Sequence, residues 1–142
     1  MIVLDANVLL YAYDSSSRAH PRCRDWLEGA FNGDAAVAIP WQSLLAFIRI
    51  ATNPRAFQRP LAIEAAVEIV ESWLARPHVT VPSPGAGYWP ILRRQLLEAQ
   101  VAGPLVSDAA LAAIALEQGA ALVTTDRDFR RFDGLEITDP TV

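Results

Sequence analysis

The apolar residues of this chain fall into short unbroken runs, Ile2-Val3-Leu4, Ala36 to Ile39 and Ala121-Leu122-Val123, separated by segments of helical periodicity. A strand that is apolar at every position is buried on both faces. Strands that alternate with helices run parallel, because each helical crossover returns the chain to the same end of the sheet. The pattern predicts an α/β fold with a mostly parallel central sheet flanked by helices on both faces, and such sheets place their sites beyond the strands' carboxyl ends. At 142 residues the chain is the size of one domain, able to bury a core without disulfides or structural metal, so a single domain over residues 1–142 is expected.

Local signals divide the chain further. Asp5 leads from the first strand into a helix over about residues 6–13, and Pro21 opens a second helix that stops near Asn32-Gly33. Residues 36–39 form a strand, and Leu44, Leu45, Phe47, Ile48 and Ala51 mark a helix from Trp41 to Thr52 that Asn53-Pro54 ends. Pro60 is expected to start the next helix, which runs through Trp73 and Leu74 and ends before Pro77. A strand at 78–81 precedes a helix from Trp89 to Ala102, broken by Gly103-Pro104. Ser107 reads as the N-cap of a helix beginning at Asp108, with Gly119 beyond its end. A strand at 121–125, a helical turn around Phe129 and a strand at 135–138 complete the chain. Trp26, Trp41, Trp73 and Trp89 lie among apolar helical neighbours and read as core or interface anchors.

Composition removes several chemistries. All 12 basic residues are arginine, so Schiff-base catalysis and a phosphate-binding P-loop lysine have no residue to supply them. Cys23 is the lone cysteine, which leaves no disulfide framework and no zinc-ligand set; a reducing, cytoplasmic setting is the expectation. Neither a targeting segment nor a membrane span is expected. No nucleophile elbow surrounds Ser43, Ser72 or Ser107, and neither His20 nor His78 has an acid or nucleophile at diagnostic spacing. With a net charge of −4, any attraction for nucleic acid must come from a local arginine patch together with bound cations.

Three aspartates stand out by position. Asp5 follows the first strand, Asp126 follows the strand at 121–125, and Asp108 opens the alanine-rich helix. Singly, each has a structural explanation: a helix cap, a first-turn acid favoured by the helix dipole, or, for Thr125 with Asp128, a capping box. Together they would meet at one sheet edge. Two unit charges roughly 4 Å apart cost about 4 kcal/mol at an effective dielectric near 20, so a carboxylate cluster persists where a cation or proton relieves it. Anionic oxygen ligands suit Mg²⁺ or Mn²⁺.

These residues carry a resemblance over essentially the whole chain. The opening Ile-Val-Leu-Asp5-Ala-Asn7-Val, the helix start Ser107-Asp108-Ala-Ala-Leu-Ala-Ala, and Thr124-Thr125-Asp126-Arg-Asp128-Phe129 resemble the PIN-domain ribonucleases of the VapC toxin family. The resemblance implies a Rossmann-like sheet, Mg²⁺- or Mn²⁺-dependent cleavage of RNA, and a cognate VapB-like antitoxin that occupies the site. Asp5 and Asp108 match the family's principal metal ligands and Asp126 the acid that completes the cluster, with Asp128 as an accessory. Asn7 would fix a carboxylate or touch the scissile phosphate; bonding to the local backbone is its alternative role. The sequence departs from the family in one place: Ala46 stands where a glutamate is usual, and Gln42, one helical turn earlier, would hold a water in the space.

Five arginines, Arg93, Arg94, Arg127, Arg130 and Arg131, are candidate RNA contacts. An apolar share of 52%, against the usual ~45–50%, points to self-association as a homodimer and to antitoxin docking, with the helices at 41–52 and 61–76 as the expected platform. Two alternatives remain: a PIN-like module that binds RNA or a partner after losing efficient catalysis with the missing glutamate, and an aspartyl-nucleophile phosphatase. The second lacks an acid at Asn7 and any lysine.

Overall fold

The computed structural model describes residues 1–142. Its elements are β1 (Ile2–Leu4), α1 (Ala6–Tyr13), α2 (His20–Asn32), β2 (Val37–Ala38), α3 (Trp41–Ala51), α4 (Ile63–Leu74), β3 (Val79–Thr80), α5 (Tyr88–Glu98), α6 (Leu105–Glu117), β4 (Ala121–Val123), a 3-10 turn at Arg127–Arg131 and β5 (Ile137–Thr138). The strands form one sheet in the order β3-β2-β1-β4-β5, and every neighbouring pair is parallel. Ile2 lies opposite Val37 on one side and Ala121 on the other.

Successive strand residues point to opposite faces, and the apolar runs use both. Leu4, Val37, Ile39 and Val123 face a core built with α1, α2, α3 and α4, whereas Val3, Ala38 and Leu122 face a second core built with α6 and Phe129 and flanked by α5. The first core centres on aromatic rings: Trp73 stacks on Phe31 at 5.8 Å between centroids and tilts against Phe47 at 4.8 Å. The crossovers from β1 to β2 and from β2 to β3 cover one face, and the crossover from β3 to β4 covers the other. The order of the sheet therefore reverses between β1 and β4, which is where sheets of this kind open a crevice.

Several boundaries differ from expectation. Pro60 does not start a helix: the chain stays extended through Ala62, and α4 begins at Ile63. Ser107 is no cap, because α6 starts two residues earlier at Leu105, with Pro104 ahead of it supplying a helical φ; Asp108 lies in the first turn. Asp126, not Thr125, caps the turn at Arg127–Arg131 by accepting the Asp128 N–H at 2.8 Å. Helix α5 stops at Glu98 rather than near Ala102. There Gln100 takes a left-handed φ of 50°, Val101 N–H closes back on the Leu96 carbonyl, and both apolar side chains pack on the second core. Gly119, with φ +62°, does end α6 as expected. Trp73 is buried and Trp26 packs on the first core, but Trp41 and Trp89 are 57% and 60% exposed and anchor nothing within this chain.

Candidate active site

Asp5 is the first residue beyond β1 and the N-cap of α1. One carboxylate oxygen accepts the Ala6 N–H at 2.7 Å and the other accepts the Thr124 hydroxyl at 2.7 Å. Thr124, just past β4 and 1% exposed, joins the site together: its Oγ1 also accepts the Asn7 side-chain amide at 3.1 Å and the Asp126 N–H at 3.0 Å. Asn7 in turn accepts the Thr125 N–H through Oδ1 at 3.3 Å. Residues 5 and 7 from one strand end and 124 to 126 from its neighbour are thus tied across the switch point. Thr124 was not among the residues expected to shape the site. A hydroxyl at the end of an otherwise apolar buried strand was the available signal.

Asp108 comes from the opposite layer, in the first turn of α6. A carboxylate oxygen each from Asp108, Asp126 and Asp128 lie within 4.8 Å of one another. Asp128, expected only as an accessory, belongs to this trio and is steadied by Arg131, whose Nε donates to the Asp128 carbonyl at 2.9 Å and whose Nη2 lies 3.4 Å from its carboxylate. Asp5 stands beside the trio rather than within it.

The crowding is visible in the acids' protonation. Burial first, then repulsion from Asp126, Asp5 and Asp128, pushes the Asp108 carboxyl up to about 6, with Arg131 opposing. Burial also raises Asp5, against the hydrogen bonds from Thr124 and Ala6 and with a further push from Asp126. Without a counter-ion, a proton relieves the cluster. The donor set is entirely carboxylate oxygen, with no nitrogen or sulfur ligand, and fits a hard divalent cation such as Mg²⁺ or Mn²⁺.

The other predicted residues are placed less uniformly. The Gln42 amide donates to the Ser107 carbonyl at 3.2 Å, linking the start of α3 to the residue before Asp108. Ala46 is partly buried on α3. Among the five candidate arginines Arg131 alone bonds to an acid; Arg93 and Arg94 are exposed on α5, and Arg127 and Arg130 are exposed on the turn after Asp126. Installing the absent acid with Ala46→Glu is expected to tighten Mn²⁺ binding about tenfold, or 1.4 kcal/mol, by calorimetry. Unchanged affinity would place position 46 beyond the ion's reach.

A parallel sheet with carboxylates gathered beyond adjacent strand ends defines a class of α/β domain equipped to hold a cation against a phosphate ester. Residues 2–135 match the PIN domain family model. The chain is 43% identical to ribonuclease VapC37 of Mycobacterium tuberculosis, over 99% of this chain and 97% of that protein. Its fold is shared with VapBC-1 from nontypeable Haemophilus influenzae (TM-score 0.70, 20% identity, all of both chains). It is shared also with Mycobacterium tuberculosis VapC20, described as a sarcin-ricin loop cleaving toxin (TM-score 0.67, 15% identity, 96% and 99% of the chains). The chain belongs to the PIN domain family, in its VapC ribonuclease branch.

Proposed function

We propose that this chain is the ribonuclease toxin of a type II toxin–antitoxin pair, a single PIN domain over residues 1–142 that hydrolyses RNA phosphodiester bonds with Mg²⁺ or Mn²⁺ in the cytoplasm. The observation that carries this reading is the meeting of Asp108, Asp126 and Asp128 within 4.8 Å, beside Asp5, at the crevice between β1 and β4. The 43% identity to a named VapC ribonuclease over nearly the full chain supports it independently.

Asp5, Asp108 and Asp126 would hold the cation, with Asp128 alongside. A cation bound there supplies charge neutralisation for the phosphate and favours deprotonation of the attacking water. The chain's own task is to keep four carboxylates close together despite their repulsion. Thr124 fixes Asp5 and the backbone of Asp126, Asn7 fixes Thr125, and Arg131 fixes Asp128. Each donor is in place before substrate arrives, so little reorganisation is needed during the reaction.

A VapB-like antitoxin would cover the toxin, as the joint naming of VapBC-1 supports. A cavity of about 420 Å³ floored by Tyr13, Leu27, Phe31 and Trp73 supports docking on α4, although against α1 and α2 rather than α3. The exposed Trp41, Leu45 and Trp89 support self-association as a homodimer. No helix is long and apolar enough to cross a membrane.

The test is incubation of the purified chain with defined single-stranded RNAs in Mg²⁺, in Mn²⁺ and in EDTA. Discrete products with either metal and none in the chelator are expected. An intact substrate under all conditions would overturn the nuclease reading and leave the binding module that the missing glutamate at position 46 favours.

A further inference from the structure

Beside the acid cluster runs an open groove of about 610 Å³ that no sequence motif announces. Its walls include Tyr11, Arg18, Arg22, Thr125 and Thr141, and it begins at Thr125, the residue next to Asp126. Of the larger cavities, this is the one that sets arginines together without a carboxylate in its lining. Arg24 and Arg76 share theirs with Glu28, and Arg59 shares its with Asp14. The nearby Asp139 is engaged by the N–H and hydroxyl of Thr141, at 2.8 and 2.7 Å.

Both guanidiniums have donors to spare. Arg18 makes no hydrogen bond or ion pair to the rest of the chain, while Arg22 is steadied through one nitrogen by the Thr141 carbonyl. An arginine with no partner is ordinary by itself. Two in one acid-free groove that reaches Thr125, the neighbour of Asp126, in a protein whose net charge is −4, form a local field opposite to that of the molecule. The groove also meets the opening turn of α2, whose positive end adds to that field. A polyanion laid across the acids would be repelled on both sides of the cation; along this groove it would not.

We infer that Arg18 and Arg22 form a subsite for a backbone phosphate of the RNA adjacent to the scissile one, so that the strand leaves the acid cluster past Thr125 and along α2. The subsite rests on the ribonuclease reading. Arginine suits it because its planar fork grips phosphate through paired donors. These side chains position substrate and touch no reacting atom.

The experiment measures binding of a fluorescent single-stranded RNA 12-mer by anisotropy in EDTA across a salt series, and steady-state cleavage in Mn²⁺. The proteins are the parent, Arg18→Gln, Arg18→Gln/Arg22→Gln and the charge-matched control Arg49→Gln/Arg55→Gln, two exposed arginines on and just beyond α3 that do not line the groove. The double variant is expected to bind about tenfold more weakly, with a salt slope shallower by about 0.7 for each phosphate that is no longer neutralised. Its KM should rise by a similar factor with kcat within twofold, because uniform binding is removed. The control should move neither. Arg18→Gln has no intramolecular bond to lose, so a threefold loss in that variant supports the subsite even if Arg22→Gln disturbs the C-terminal segment. Parent-like affinity and salt slope in the double variant, with the parent cutting RNA, would overturn the subsite and leave the nuclease standing. That would also be the outcome if the groove takes an acidic peptide instead. A parent that neither binds nor cuts any RNA would remove both readings.

Discussion

Asp108→Asn is expected to lower metal-dependent RNA cleavage by at least about 10³-fold while making the metal-free protein more stable. The two effects share a cause. The Asp108 carboxyl, raised from 3.8 to about 6 by burial and its three acidic neighbours, is ionised in the folded chain at neutral pH only against opposition. Its folded-state pKa lies above its unfolded one, so between about pH 4 and 6 the folded state holds more protons, and stability from this group declines as pH rises through that window. Asparagine carries no charge to repel. Because the carboxyl keeps substantial contact with water, the gain at pH 7.5 is discounted to about 1 kcal/mol, or roughly 2–4 °C in Tm. Differential scanning fluorimetry in EDTA should show the variant melting above the parent at pH 7.5 and the difference closing toward pH 4.5. Adding Mn²⁺ should reverse the order, since the parent gains a ligand and the variant does not. A variant less stable than the parent in EDTA would show that Asp108 is held by favourable contacts rather than under strain.

The second large effect is expected far from the acids. Phe47 is fully buried on α3, with Tyr13 edge-on at 5.7 Å and Trp73 at 4.8 Å between ring centroids. Phe47→Ala removes a ring from a cluster whose other members are fixed by three separate helices, so the void cannot collapse. A cost of about 3–5 kcal/mol and a Tm fall on the order of 10 °C are expected in urea and thermal melts. Phe47→Leu keeps part of the volume and should cost about 1–2 kcal/mol. Equal losses in both variants would mean that the cluster contributes through ring geometry more than through filled space.

The parallel sheet was legible because β1 and β4 are apolar at every position, and a strand buried on both faces leaves no alternation to misread. The gathering of Asp5, Asp108 and Asp126 was legible because the first and last follow apolar strands and Asp108 opens an alanine-rich run, although α6 itself begins three residues earlier. Helix ends were harder, since they depend on contacts distant in sequence. Nothing local in Gln100 announces a left-handed stop; it is the apolar closure of Leu96 and Val101 onto the second core that makes one. Pro60 looked like a helix start, yet the backbone there serves a different bond, with the Leu61 N–H reaching the Ala51 carbonyl at 2.8 Å. The bonding of Thr124 to residues more than a hundred positions away, and the arginine groove beside it, could appear only once β1 and β4 lay side by side.

Because the four acids span positions 5 to 128, the site comes into existence only after α1 to α6 and β4 have all been synthesised. A ribosome that has made α1 to α5 has produced most of a fold and none of Asp108, Asp126 or Asp128. A nascent or truncated chain that stops short of Asp126 therefore lacks the carboxylate cluster on which the proposed chemistry depends.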